Sequence, residues 1–312
     1  MRRHSLSIGI FATACGLLAH AAPAWAAAET WVSGTGTDTG ACPVTAPCRT
    51  FAYAQTKTNN GGTLSVLSSG NFGPVIINKS ISIVAQGAEA LINTAVGGAA
   101  IRIQPAADRI VSLRGLTIDL QGTNNNGISF VSGAALHVQN CVIRKSTNGI
   151  NFAPASGTSE IYVADSVIAD NSNLGIFVGP TGSGSAKVVL DRVRVENSSN
   201  GILFQGGGIT GSITATVRDS VSAGNTNSGI VAFEGGSGTT NVMVDRTASV
   251  NNLTGIFAAV AGATIRIGDS TVTGNSTGLS IGTGGVIDSY GTNKVNGNTT
   301  DGAPTGMPIA MK

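Results

Sequence analysis

Charge is scarce in this 312-residue sequence: Asp, Glu, Lys and Arg together make up 11% of it, and the formal net charge is +2. So sparse and balanced a chain offers no basic stripe for nucleic acid and no polybasic patch for anionic lipid, so neither is expected as a partner. Aromatic residues reach only 4%. Beyond residue 26 no apolar run approaches the roughly 20 residues of a membrane-spanning helix, so no span is expected. Histidine is nearly absent, with His137 alone beyond the first 26 residues.

The first residues carry an address. Arg2 and Arg3 precede an apolar stretch from Ile8 to Leu18, and Ala24, Trp25 and Ala26 supply a small-x-small cleavage pattern. Residues 1–26 therefore read as an export signal cut after Ala26, leaving a soluble chain in the periplasm or outside the cell. The twin Arg lacks the remaining context of a twin-arginine signal, and Ala12 to Cys15 is a poor lipoprotein box. Export implies an oxidising compartment, so Cys42 and Cys48, close together in a proline-containing loop, are expected to form a disulfide. Cys15 leaves with the signal, which makes Cys141 the odd thiol. His137 lies four residues before it, about 13 Å away along a strand, so Cys141 reads as an inert wall residue.

Against these absences stand 44 glycines and a phrase that returns along the second half of the chain. Asp165, Asn171 and Gly175 are followed by Asp191, Asn197 and Gly201, by Asp219, Asn225 and Gly229, by Asp245, Asn251 and Gly255, and by Asp269, Asn275 and Gly278. Between these landmarks the pattern alternates with period two, which is strand rather than helix. Counting from each Asp places Val167, Val193, Val221, Thr247 and Thr271, then Ala169, Val195, Ala223, Ser249 and Thr273, on inward positions. A coil of short strands that cannot fold alone buries its inner face by stacking on its neighbours, which defines a solenoid.

The recurring Asn suits a sharp bend at positive φ, and stacked amides can hydrogen-bond in a ladder. Asn171, Asn197, Asn225, Asn251 and Asn275 are assigned to that ladder, with a structural role only. The domain reading is a signal over 1–26, then an N-terminal segment over 27–61 holding the Cys42–Cys48 loop and a capping helix from Arg49 to Lys57 that buries Phe51, Ala52 and Ala54. A β-helix over 62–302 and a tail over 303–312 complete it. About ten coils would make a rod on the order of 50 Å long.

The Asp-x5-Asn-x2–3-Gly-Ile phrase, the stacked Asn positions and the capping helix resemble the right-handed parallel β-helix repeats of the pectin lyase-like superfamily. Trp31-Val-Ser-Gly-Thr-Gly, the cysteine pair running into Arg49-Thr-Phe51, and Ser289-Tyr-Gly-Thr-Asn-Lys are similar to a group of exported bacterial β-helix proteins without an assigned activity. The resemblance implies an all-β right-handed parallel β-helix. It also implies two chemistries to look for, Ca²⁺-assisted elimination and hydrolysis between paired carboxylates. Adjacent Asp-Asp, Gly-His-Gly and Arg-Ile-Lys, the hydrolase patterns, are missing.

One carboxylate pair keeps elimination in view. Asp170 and Glu196 each precede a ladder Asn on consecutive coils, with Lys145 one coil earlier and Arg192 and Arg194 expected on the same wall. The pair is the candidate Ca²⁺ or catalytic site, with Arg194 as its basic partner; no other cofactor is expected. The competing reading is a solvated ion network, and the Asp column, with Arg192, Arg218 and Arg246 beside three of its members, reads as turn structure. A second candidate is an outward apolar column, Phe177, Leu203, Val231 and Phe257, flanked by Asn151 and Ser280. The glycine-rich insertions at 179–185, 205–211 and 235–240, a second subunit, or sugar rings are the three covers considered for it. The favoured function is a non-catalytic solenoid binding polysaccharide or a surface partner, and the alternative is a divergent polysaccharide lyase or glycoside hydrolase acting on acidic polysaccharide.

Overall fold

The computed structural model describes residues 27–207 and 210–310, so the expected export signal lies outside the described residues. The chain winds through three parallel sheets in turn. The first holds eleven strands, the second ten and the third nine. One coil shows the plan: Thr158–Ala164 lies in the first sheet, Val167–Ala169 in the second and Leu174–Val178 in the third, and Ser185–Asp191 opens the next coil beside the strand it started from. Nine coils contribute to all three sheets, slightly fewer than the ten expected, because the last strands, Val286–Ser289 and Lys294–Val295, have no third-sheet companion.

Alternation sets which side chains fill the interior. In the first sheet Ile161, Val188, Ala215, Val242 and Ile265 are paired in register, and all are buried. The third sheet stacks Ile128, Ile150, Ile176, Ile202, Ile230, Ile256 and Leu279 in one buried column. Phe130 and Phe152 lie in the column beside it with ring centroids 4.4 Å apart. Emptying one such site, as in Ile202→Ala, costs about 2–5 kcal/mol because the coils above and below cannot collapse into the gap.

The second sheet departs from the expected parity. Its register is Val167, Arg194, Val221, Ala248, Thr271, with Ile168, Val195, Ser222, Ser249 and Val272 as the buried column beside it. Val167, Ala169, Val221, Ala223, Thr271 and Thr273 therefore face outward and are half-buried, whereas Val193, Val195, Thr247 and Ser249 are buried as expected. The cause is a one-residue slip. Asp165, Arg192, Asp219, Arg246 and Asp269 share the corner between the first and second sheets, all at φ between 43° and 51°. Asp191 and Asp245 sit one position earlier, at strand ends opposite Arg218. A shift of one residue turns every side chain to the opposite face.

The same slip moves the ladder. Asn225 donates from Nδ2 to Asn252 Oδ1 at 2.8 Å, Asn252 to Asn275 Oδ1 at 3.1 Å, and Asn275 to Asn298 Oδ1 at 2.8 Å. Each of these oxygens also accepts the backbone N–H of the preceding ladder Asn at 2.8–3.0 Å. Asn171 and Ser198 occupy the same column earlier, where Ser146 N–H bonds to Asn171 Oδ1 and Ser198 N–H to Asn225 Oδ1. Asn197 and Asn251 are not ladder residues: they stand exposed at φ 52° and 57° in the bend itself, one residue before it. Because Ser198 carries no carbonyl, the buried Nδ2 of Asn171 has no acceptor.

The recurring glycine answers to space rather than to φ. A Cβ on Gly201 would lie 2.2 Å from Ser222 Oγ and 2.7 Å from Gly229 O, and one on Gly175 would lie 2.2 Å from a Val195 methyl. Adjacent coils approach too closely there for any side chain.

Both ends are closed. Helix α1, Phe51–Lys57, starts at Thr50, whose side chain accepts the Tyr53 N–H, and Asp38 accepts from the N–H groups of Arg49 and Thr50 and from the Thr50 hydroxyl. Lys79 donates to the carbonyls of Gln55 and Thr58 at its other end. The helix buries Phe51, Ala54 and Gln55; Ala52, expected inside, faces outward. Strand Ala27–Val32 joins the edge of the first sheet, and the disulfide loop covers it in turn, through Trp31 N–H to Cys42 O and Cys48 N–H to Trp31 O, both 2.8 Å. Cys42 and Cys48 are bonded, with Cα atoms 5.0 Å apart. At the far end Thr305 and Ile309 donate to the carbonyls of Ile287 and Ser289. The tail thereby closes an edge that would otherwise invite pairing with another chain.

Candidate functional site

Asp170 and Glu196 are not register partners, although the Asp170 N–H donates to the Glu196 carbonyl at 3.1 Å. Asp170 is at the bend, at φ 56°, aligned with Asn197, whose Nδ2 donates to it at 3.0 Å. Glu196 is aligned with Ala169 and bonds to Arg194 on its own strand. Lys145 does share the bend position of Asp170, but it is 3.8 Å from Asp119, whose carboxylate also takes Arg144 at 2.8 Å. Arg192 lies at the corner between the first and second sheets, whereas Arg194 opens the second-sheet strand that follows it. Among the described residues no three His, Cys, Asp or Glu side chains converge as a metal would require.

Arg192 belongs to a checkerboard of charge. It grips Asp165 with two nitrogens, at 2.6 and 3.1 Å, and reaches Asp191 at 2.6 Å. Arg246 does the same with Asp219, at 2.8 and 2.9 Å, and with Asp245. Arg218 completes the set by bonding to Asp191 at 3.1 Å. These hydrogen bonds hold the carboxyls of Asp165 and Asp219 below the usual carboxylate range. Signs alternate from coil to coil, so the network ties neighbouring coils together.

Cys141 is buried, and burial pushes its thiol up to about 11. Asn140, at φ 51°, turns the chain between His137 and Cys141, so that the imidazole stands outside and the thiol inside. They share no surface.

The outward column is in register: Asn151, Phe177, Leu203, Val231, Phe257 and Ser280 are successive partners across the third sheet. Val231 is buried and the other apolar members are half-buried. Phe233, outside the repeated column, lies on the same face two residues after Val231 and is paired with Gln205. The chain has nine phenylalanines, of which Phe11 lies outside the described residues. Phe51, Phe72, Phe130, Phe152 and Phe204 are fully buried. The remaining three, Phe177, Phe233 and Phe257, all stand on this one outer face. The glycine-rich insertions begin beneath them: a Cβ on Gly179 would lie 2.1 Å from the Phe177 ring and one on Gly235 would lie 2.9 Å from that of Phe233. The insertions floor the rings and then bond to one another along the corner, as Thr210 N–H does to Gly182 O.

A second outer surface gathers unlike groups. On the first sheet His137 and Tyr162 are register partners, as are Glu160 and Lys187. Together with Val189 they line an open hollow of about 360 Å³. The sequence did not reveal it, because its members are separated by coils of different length.

The architecture is that of a right-handed parallel β-helix of three sheets. The chain is similar in structure to pectate lyase Pel9A, with a TM-score of 0.54 and 12% identity over 90% of this chain and 81% of that one. A mannuronan C-5 epimerase module from Azotobacter vinelandii, AlgE6, aligns over 75% of this chain and 90% of its own at 13% identity, with a TM-score of 0.26. At 12% identity the likeness to Pel9A is one of fold. No family model matches the sequence, and no curated protein does. No helix among the described residues is long and apolar enough to cross a membrane.

Proposed function

We propose that this chain is a polysaccharide-binding solenoid that holds its ligand without cleaving it. The observation that carries the reading is the gathering of Phe177, Phe233 and Phe257, with Leu203 between them, on one outer face. A half-exposed aromatic ring presents a flat apolar surface, and the C–H face of a pyranose is a natural partner for it. Apolar side chains spread over four successive coils suit a ligand that is itself a chain. The fold neighbour Pel9A is a pectate lyase, which is consistent with a polysaccharide ligand.

Binding is favoured over elimination because Asp170 and Glu196 are committed to separate partners. Affinity electrophoresis through gels containing acidic or neutral polysaccharide, read with absorbance of unsaturated uronate products, tests this. Retardation without product is expected, and it should be lost in a Phe177→Ser, Phe257→Ser variant whose circular dichroism is unchanged. Release of unsaturated product, or retardation that ignores those substitutions, would overturn the reading.

A further inference from the structure

The hollow on the first sheet has the makings of a site of its own. Its floor is the half-buried ring of Tyr162, with the imidazole of His137 edge-on to it, centroids 6.2 Å apart and planes at 76°. One coil step to the side, Lys187 Nζ lies 3.1 Å from Glu160 Oε1. Both ends of that pair are well over half exposed, so each keeps hydrogen-bonding capacity for a third party. At about 360 Å³ the hollow falls at the lower end of the range for small-molecule pockets.

The charges decide what fits. A carboxylate and an ammonium side by side sum to zero, so a uronate drawn to Lys187 is repelled by Glu160 beside it and still loses part of its hydration, and the site favours a neutral sugar over an acidic one. A neutral ring with neighbouring hydroxyls satisfies both: one hydroxyl donates to the Glu160 carboxylate while the next accepts from the Lys187 ammonium. Its C–H face would then rest on Tyr162. We infer that the hollow formed by His137, Glu160, Tyr162 and Lys187 is a second sugar site, taking a single neutral pyranose. This rests on the reading of the chain as a glycan binder but uses a different wall from the phenylalanine face, so the protein would hold two saccharides at once.

The test follows the ring signals of His137, assigned by their loss in His137→Gln, in carbon-edited proton NMR of the full chain. Methyl glucoside, methyl galactoside and methyl galacturonoside are titrated in turn. A saturable shift is expected with at least one neutral glycoside, at lower concentration than with the uronoside. It should be lost in Tyr162→Ser and in Lys187→Ala, kept in Tyr162→Phe, and unchanged in Phe177→Ser, Phe257→Ser. The inference fails if no neutral glycoside gives saturation, if the uronoside binds as tightly, or if the shift survives both Tyr162→Ser and Lys187→Ala. Gel retardation that persists in those two variants while the shift disappears would show that the two walls act separately.

Discussion

Two adjacent asparagines should behave very differently. Asn252 is buried, and its Oδ1 accepts the backbone N–H of Asn225 at 3.0 Å and the Asn225 Nδ2 at 2.8 Å. Asn252→Ala strands the first of these donors entirely. The second keeps only Ser222 Oγ at 3.2 Å. At roughly 1–3 kcal/mol for each buried donor left without a partner, the loss comes to about 2–4 kcal/mol. Asn251, the residue that the repeat singles out, is exposed at φ 57°. Asn251→Gly relieves about 1 kcal/mol of left-handed backbone strain and loses a similar amount to the greater freedom of the unfolded chain, so its net effect should stay within about 1 kcal/mol. Urea unfolding followed by circular dichroism, with unchanged m-values and refolding checked, measures both. If refolding fails, unfolding rates replace midpoints. Equal costs for the two variants, or a negligible cost for Asn252→Ala, would refute the assigned register.

Further outcomes follow from the same geometry. Ser198→Asn should stabilise by about 1 kcal/mol or more, because it supplies the carbonyl that the stranded Nδ2 of Asn171 lacks and joins Asn171 to the ladder; a midpoint below wild type would contradict this. Gly201→Ala should destabilise by several kcal/mol or prevent folding, since its Cβ would meet a backbone carbonyl at 2.7 Å. The folded carboxyls of Asp165 and Asp219 titrate below their unfolded range, so their contribution is present above about pH 4 and is lost as pH falls through the folded values. Arg192→Gln and Arg246→Gln should therefore flatten the acid limb of a stability–pH curve. Cys141 shifts the other way, from 9.0 to about 11, so its contribution is intact below pH 9.0 and is lost as pH rises through about 11. That amounts to roughly 2–3 kcal/mol, and Cys141→Ala should remove this alkaline limb.

Period-two alternation made the strands legible in the sequence, and Phe51 with its neighbours marked the capping helix. The register of the second sheet was not legible, for a definite reason. The repeated Asp and Asn recur at intervals of 26, 28, 26 and 24 residues, whereas the corner itself recurs at 27, 27, 27 and 23. Asp191 and Asn197 moved together, as did Asp245 and Asn251, so the six-residue interval between them stayed constant and hid the slip. Gly175, Gly201, Gly229, Gly255 and Gly278 kept their alignment because stacking forbids a side chain there. Positions counted from glycine, such as Phe177 and Leu203, consequently came out in register, and those counted from Asp did not. The closing tail left no trace in the pattern because backbone groups and a single hydroxyl, that of Thr305, make its bonds.

This tolerance of one residue in a turn explains where specificity can reside. A bend lengthened or shortened by one places Asn at the ladder in one coil and Ser in the next, and the inner columns still align because glycine and the buried aliphatic residues fix them. Outward positions carry no such constraint: Tyr162, Val189, Thr216 and Met243 succeed one another in a single column without disturbing the residues behind them. Residues that depart from their column neighbours without serving the fold are then the ones that call for a ligand. By that criterion the pairing of His137 with Tyr162 and the three outward phenylalanines stand out, whereas the carboxylates at the corners, which repeat and are matched by arginine, do not.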